Sequence, residues 1–164
     1  MKTIKTVLMA IVAIVIISCN NLKTKEMTAQ NAIFPKGEIM TANFVGTAYV
    51  KMLVADADST FDTQVYDVTF ERGTRNNWHS HPGGQLLLCT AGEGYYQERG
   101  KPIQLLKVGD VVEIRPNIEH WHGATPDSEF THIGITTQVS KSAAVWLEPV
   151  SDEAYNSLNN KYNK

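Results

Sequence analysis

From residue 42 onward, apolar and polar residues alternate in short runs separated by turn residues. Turn signals recur at roughly 8–12 residues, the spacing of a β-sandwich or barrel. Residues 44–54 and 63–70 are the first two clear runs. Within Gln64-Val65-Tyr66-Asp67-Val68-Thr69-Phe70, a strand puts Val65, Asp67 and Thr69 on one face and Tyr66, Val68 and Phe70 on the other. Further strand-like runs cover 86–90, 95–98, 103–106, 111–114 and 131–139. The connections read as turns: Ala91-Gly92-Glu93-Gly94 as a tight glycine-rich one, then Arg99-Gly100-Lys101-Pro102 and Val108-Gly109-Asp110. Helical signal comes only at the end, in 151–164, where Ser151 is a plausible N-cap and Asp152 and Glu153 fall in the first turn. The pattern predicts an all-β core with one short C-terminal helix.

The N-terminus departs from this pattern. Lys2 and Lys5 precede an unbroken apolar run at 7–17, followed by Ser18-Cys19. That run is shorter than the ~20 residues needed to span a bilayer and fits a secretory signal peptide. An ordinary signal peptide and an uncleaved anchor share these features. Ile16-Ile17-Ser18-Cys19 further resembles a bacterial lipobox. The resemblance implies removal of 1–18, lipidation at Cys19 and residues 19–41 as lipidated cysteine and tether. It also implies a periplasm-facing anchor in the cell envelope. Asn20 rather than aspartate follows the cysteine, which under the family's sorting rule favours the outer membrane.

The 164 residues suffice for one domain with a real core, here 42–150. Net charge is −2, and removing 1–18 takes away two lysines, giving −2 − 2 = −4. With no basic stripe, nucleic acid is not an expected partner. If Cys19 carries lipid, Cys89 has no partner for an intramolecular disulfide and reads as a small buried hydrophobe.

Candidate chemistry gathers around Gly73–Gln85 and His120. His79 and His81 stand two apart, so on a strand both imidazoles share a face. Gln85 adds an oxygen donor four residues on, and His120 follows 35 residues later. Inside a barrel these four can surround one metal ion, imidazole being the commonest metal ligand. The plainer reading is a pair of exposed turn histidines beside a hairpin. His122 shares a face with His120 and suits a pocket-lining, ligand-orienting or packing role. Trp78 and Trp121 neighbour metal-type histidines and either wall a pocket or pack. Arg75 and Glu119 read as rim charges. His132 reads either as a core histidine bonded to a backbone carbonyl or as a pocket base.

Gly73-x5-His79-x-His81-x3-Gln85-x6-Gly92 resembles the first cupin motif, and Gly109-Asp110 through Pro116-x3-His120 the second. The resemblance implies a double-stranded β-helix, a jelly-roll barrel with a metal inside. Arg115 and Asn117 replace the Pro and Gly of the general second motif, and Asn tolerates a left-handed turn. Phe44-Val45-Gly46-Thr47, His120-Trp121-His122-Gly123-Ala124, Thr131-His132 and Trp146-Leu147-Glu148 are similar to a narrower group. It comprises small bacterial cupins that include manganese-dependent hydroxynitrile lyases and carboxymuconolactone-decarboxylase-like proteins. That group implies His79, His81, Gln85 and His120 as ligands, with glutamine in place of the usual carboxylate, and His132 as the acid/base.

The cofactor implied is a divalent metal, Mn first, with Fe or Zn as alternatives. The function implied is a lyase acting on a small hydroxy or carbonyl substrate, in a homodimer or higher oligomer. An Fe-dependent dioxygenase and a non-catalytic ligand-binding module remain as rivals. Cys19→Ala is expected to shift the protein from the membrane to the soluble fraction on cell fractionation; a wild type already soluble would contradict the anchor.

Overall fold

The computed structural model describes residues 33–56 and 59–157. The expected signal peptide, Cys19, the expected tether as far as residue 32 and the residues beyond 157 lie outside the described residues. In chain order the strands are β1 (Glu38–Met40), β2 (Phe44–Val45), β3 (Ala48–Val54), β4 (Thr63–Phe70), β5 (Arg75–Asn76) and β6 (His79–Ser80). They continue with β7 (Gln85–Glu98), β8 (Gln104–Lys107), β9 (Val111–Ile114), β10 (His120–Ala124), β11 (Phe130–Thr137) and β12 (Val145–Trp146). A 3-10 turn at Val139–Lys141 and the helix α1 (Asp152–Asn156) complete the chain.

All pairings are antiparallel. One sheet runs β1-β3-β4-β11-β7, with β9 on the far side of β7. The other runs β2-β5-β10-β7-β8, with β6 joining β10 and β12 joining β6. The 14 residues of β7 belong to both: Gln85–Leu88 pair with β9, whereas Glu93–Tyr96 pair with β8. The two sheets close into the jelly-roll barrel that the alternation predicts. Phe70, Leu87, Phe130 and Tyr96 fill its core.

The tight turn expected at Ala91–Gly94 is corrected, because β7 passes through it without reversing. The glycines there serve close approach. A Cβ at Gly92 would meet the Glu129 carbonyl oxygen at 1.8 Å, and one at Gly94 would meet the Phe130 ring at 2.5 Å. Neighbouring β11 shifts register between Thr131 and His132, letting β7 bend from one sheet into the other. The expected run 44–54 is likewise divided. Gly46, at φ 98°, separates β2 in the second sheet from β3 in the first. The chain also joins the barrel earlier than residue 42: Glu38–Met40, read as tether, pairs with β3.

The C-terminal helix forms where expected, with Ser151 Oγ accepting the Ala154 N–H at 3.2 Å. What fixes it to the barrel is Arg75, which is not a rim charge. Arg75 is 5% exposed, donates twice to the Val150 carbonyl, pairs with Asp152 at 2.5 Å and lies over the Tyr155 ring. Tyr155 in turn donates to the Ala124 carbonyl at 2.7 Å. Glu119 does sit on the rim, bonded to Arg99. Among the described residues no helix is long and apolar enough to cross a membrane.

Asp67 lies on the face of β4 opposite the core residues Val68 and Phe70, only 1% exposed, with Oδ1 lacking a partner. Burial raises its pKa from 3.8 to about 6, against the opposing pull of Lys51. A carboxyl whose folded pKa is raised favours the folded state while protonated, and that benefit is lost as pH climbs from 3.8 to about 6. Asp67→Asn is therefore expected to stabilise the fold by about 1–3 kcal/mol above pH 6, with little effect near pH 4. Calorimetric Tm measured against pH checks this.

Candidate metal centre

β6 and β10 are antiparallel neighbours with His79 directly opposite His120, so two histidines 41 positions apart become cross-strand partners. The turn His81-Pro82-Gly83-Gly84 then carries the chain to Gln85 in the other sheet. Gly84 N–H closes it on the His81 carbonyl at 3.0 Å. Gly83 is needed there, since a Cβ would meet the Thr137 carbonyl oxygen at 1.8 Å. His79, His81, Gln85 and His120 are all buried. The ring centroid of His79 lies 5.1 Å from that of His81 and 4.2 Å from that of His120.

Each of the three imidazoles has its Nδ1 on a backbone carbonyl. His79 meets Asn77 at 3.0 Å, His120 meets Ile118 at 2.9 Å, and His81 meets Ala143. A neutral imidazole carries one N–H, so these bonds place it on Nδ1 and leave Nε2 as a lone pair. Burial lowers the pKa of all three, to about 4 for His120, so they are neutral at pH 7. His81 Nε2 is buried without a partner. Gln85 donates from Nε2 to Tyr66 Oη at 2.6 Å, which turns its Oε1 to 3.3 Å from His120 Nε2. Two acceptors thus face each other in a buried volume. A cation between them relieves that conflict, so this donor set fits a divalent metal.

His122 stands at the edge of the set. Ring nitrogens of His79, His120 and His122 lie within 4.8 Å of one another. The lone pair of His122 is already engaged, however. Asn76 accepts the His122 backbone N–H at 2.9 Å, which orients its amide to donate to His122 Nε2 at 3.1 Å. His122 therefore supports the ligand cluster from beside it. His132 lies one ring deeper, 4.7 Å from His122 between centroids and in contact with Phe70 and Phe130. It is 0% exposed, and neither ring nitrogen has a hydrogen-bond partner. Burial lowers its pKa to about 4. Trp78 and Trp121 point away, into a cluster with Tyr95, Val150 and Tyr155 on the outside of the second sheet.

A cavity of about 310 Å³ opens onto the cluster. His79, His81, Gln85 and His122 line its base, and Phe44, Val50, Met52, Phe70 and Trp146 its walls. Trp146 belongs to a strap that returns after β11. β12 pairs with β6 so that Trp146 faces His79, their rings 4.7 Å apart. Sequence reasoning passed over Asn76, Tyr66, Ala143 and the site role of Trp146. Strand alternation did put Tyr66 on the same face as Val68 and Phe70. Ala143 acts through its carbonyl, which leaves no trace in side-chain identity.

A β jelly roll with a buried histidine cluster at its centre is the arrangement of the cupins, here with Gln85 where the usual carboxylate stands. The cupin domain model matches residues 66–134. Over 112 residues the chain is 40% identical to an (R)-mandelonitrile lyase from Granulicella tundricola, covering 68% of this chain and 85% of that one. The crystal structure of a cupin-like protein from Thermotoga maritima superposes with a TM-score of 0.76 at 56% identity, covering 77% of this chain and 96% of the other. A DMSP lyase from Ruegeria pomeroyi shares the fold, with a TM-score of 0.54 at 21% identity over 76% of this chain and 61% of that one. The chain belongs to the cupin family, among the small bacterial cupins of the hydroxynitrile lyase-like group.

The engaged lone pair of His122 generates a distinction by elemental mass spectrometry. His81→Gln is expected to lose bound metal, whereas His122→Gln keeps the wild-type complement. Equal loss in both would place His122 among the ligands.

Proposed function

We propose that this protein is a metal-dependent lyase acting on a small neutral hydroxy or carbonyl compound, by cleavage or formation of a cyanohydrin-type C–C bond. The observation that carries this reading is the character of the cavity. Among the described residues its wall holds no Lys, Arg, Asp or Glu side chain, and His79, His81, Gln85 and His122 at its base are neutral. Such a wall favours an uncharged substrate with an apolar body and one polar end. The similarity to an (R)-mandelonitrile lyase supports the same substrate type.

A divalent ion held by His79, His81, Gln85 and His120, manganese before iron or zinc, supplies positive charge next to the substrate oxygen where negative charge develops. The protein's own contribution is orientation and proton handling. Phe44, Val50 and Met52 offer apolar surface to the body of the substrate. His122 lines the cavity, and His132 packs against it with both nitrogens free. His122, which lines the cavity, takes the hydroxyl proton as Asn76 releases its ring nitrogen, and passes its other ring proton to His132 behind it as the carbonyl forms. The C–C bond breaks with its electron pair leaving on cyanide, and the proton is returned to give hydrogen cyanide. Cys19 supplies a lipid anchor that holds the enzyme on the periplasmic face of the envelope, in a homodimer or higher oligomer.

The test is release of benzaldehyde from mandelonitrile, followed by ultraviolet absorbance, by the Mn²⁺-loaded protein. The wild type is expected to turn over. His132→Gln is expected to lower kcat by about 10²-fold or more while metal content is unchanged. A fully loaded wild type inactive on cyanohydrins contradicts the reading, and oxygen uptake by the Fe²⁺ form would point to a dioxygenase instead.

A further inference from the structure

A glutamine amide has two ends of nearly the same shape, and only one of them can face a cation. Oε1 offers lone pairs; Nε2 offers two protons. Gln85 is 3% exposed, so whichever end turns away from the histidines must find a partner inside the protein. That partner is the Tyr66 phenol. Gln85 Nε2 donates to Tyr66 Oη at 2.6 Å, and Tyr66 Oη lies 2.7 Å from Thr136 Oγ1. The two hydroxyls share the second bond, in which either can donate.

The position of the phenol is itself built into the sheet. Tyr66 on β4 pairs across the ladder with Gly134 on β11. The Tyr66 ring lies over the bare backbone there, where a Cβ on Gly134 would come within 2.4 Å of Cε2. A side chain at 134 would push the ring aside and break its reach to Gln85 and Thr136.

We infer that Tyr66 is a positioning residue that holds Gln85 with its oxygen toward the metal cluster, and that Gly134 makes the room for it to do so. The inference rests on the metal-site reading of Gln85 given above. Removing the phenol oxygen leaves a buried N–H without a partner whenever Gln85 Oε1 faces the histidines, and so penalises the ligating orientation alone.

Mn²⁺ affinity measured by chelator competition tests this in four forms of the protein: wild type, Tyr66→Phe, Gln85→Glu and the double variant. Tyr66→Phe keeps the ring and is expected to weaken Mn²⁺ binding by about 10–100-fold. In the Gln85→Glu background the same substitution is expected to weaken binding much less, since a carboxylate can ligate with either oxygen and loses only a bond accepted from the phenol. Equal weakening in both backgrounds would make Tyr66 a packing residue and overturn the inference. So would wild-type affinity in Tyr66→Phe. A wild type that binds no Mn²⁺ would overturn the metal-site reading and the inference with it.

Discussion

Lone pairs that converge without a proton between them repel. That conflict is what the barrel is built to hold. His79, His81 and His120 each spend their single N–H on a backbone carbonyl, and Gln85 spends its N–H on Tyr66. What remains is an inward set of acceptors, two of them only 3.3 Å apart. Protonating an imidazole would relieve the repulsion, but burial drives the histidine pKa values down, to about 4 at His120. A divalent cation entering from the cavity would relieve it. Its four ligands would all be neutral, so its charge would reach a bound substrate undiminished.

The rest of the fold keeps those donors on rigid supports. β7 runs through both sheets, so Gln85 at its start and the β10 histidines, paired with its far end, share one scaffold. The strap after β11 completes the arrangement, because the carbonyl that orients His81 comes from Ala143 and the ring against His79 from Trp146. That strap is secured by β12 on β6 and, further along, by Arg75 on Val150 and Asp152. An arginine on the opposite face of the second sheet therefore helps to anchor the segment whose Ala143 carbonyl meets His81. Only the arginine of the Arg75–Asp152 pair is buried, so its bonds to the Val150 carbonyl hold the strap more firmly than its contact with the exposed Asp152 carboxylate.

Much of this was legible in the chain. Period-two alternation located most of the strands, and the spacing His79, His81, Gln85, His120 named residues that the fold brings together. Three things were hidden for physical reasons. Glycine marks both turns and places where backbones touch, so Gly92 and Gly94 read as a reversal where a long strand passes close to Glu129 and Phe130. A charged residue on a short strand reads as exposed, yet Arg75 is buried by an element 75 positions away. The depth of His132 was the third: alternation aims it inward, but only the packing of His122, Phe70 and Phe130 shows that it sits behind the cavity wall. Trp78, by contrast, was decidable, since a residue next to the inward His79 must face out.

A single ion held among four particular atoms is the central geometric claim. Anomalous diffraction at the manganese edge from crystals grown with Mn²⁺ tests it most directly. The expected result is one peak per chain, bonded to Nε2 of His79, His81 and His120 and to Oε1 of Gln85. A peak held by His79, His120 and His122 with Gln85 turned away, or no peak in crystals whose solution contains Mn²⁺, would contradict it.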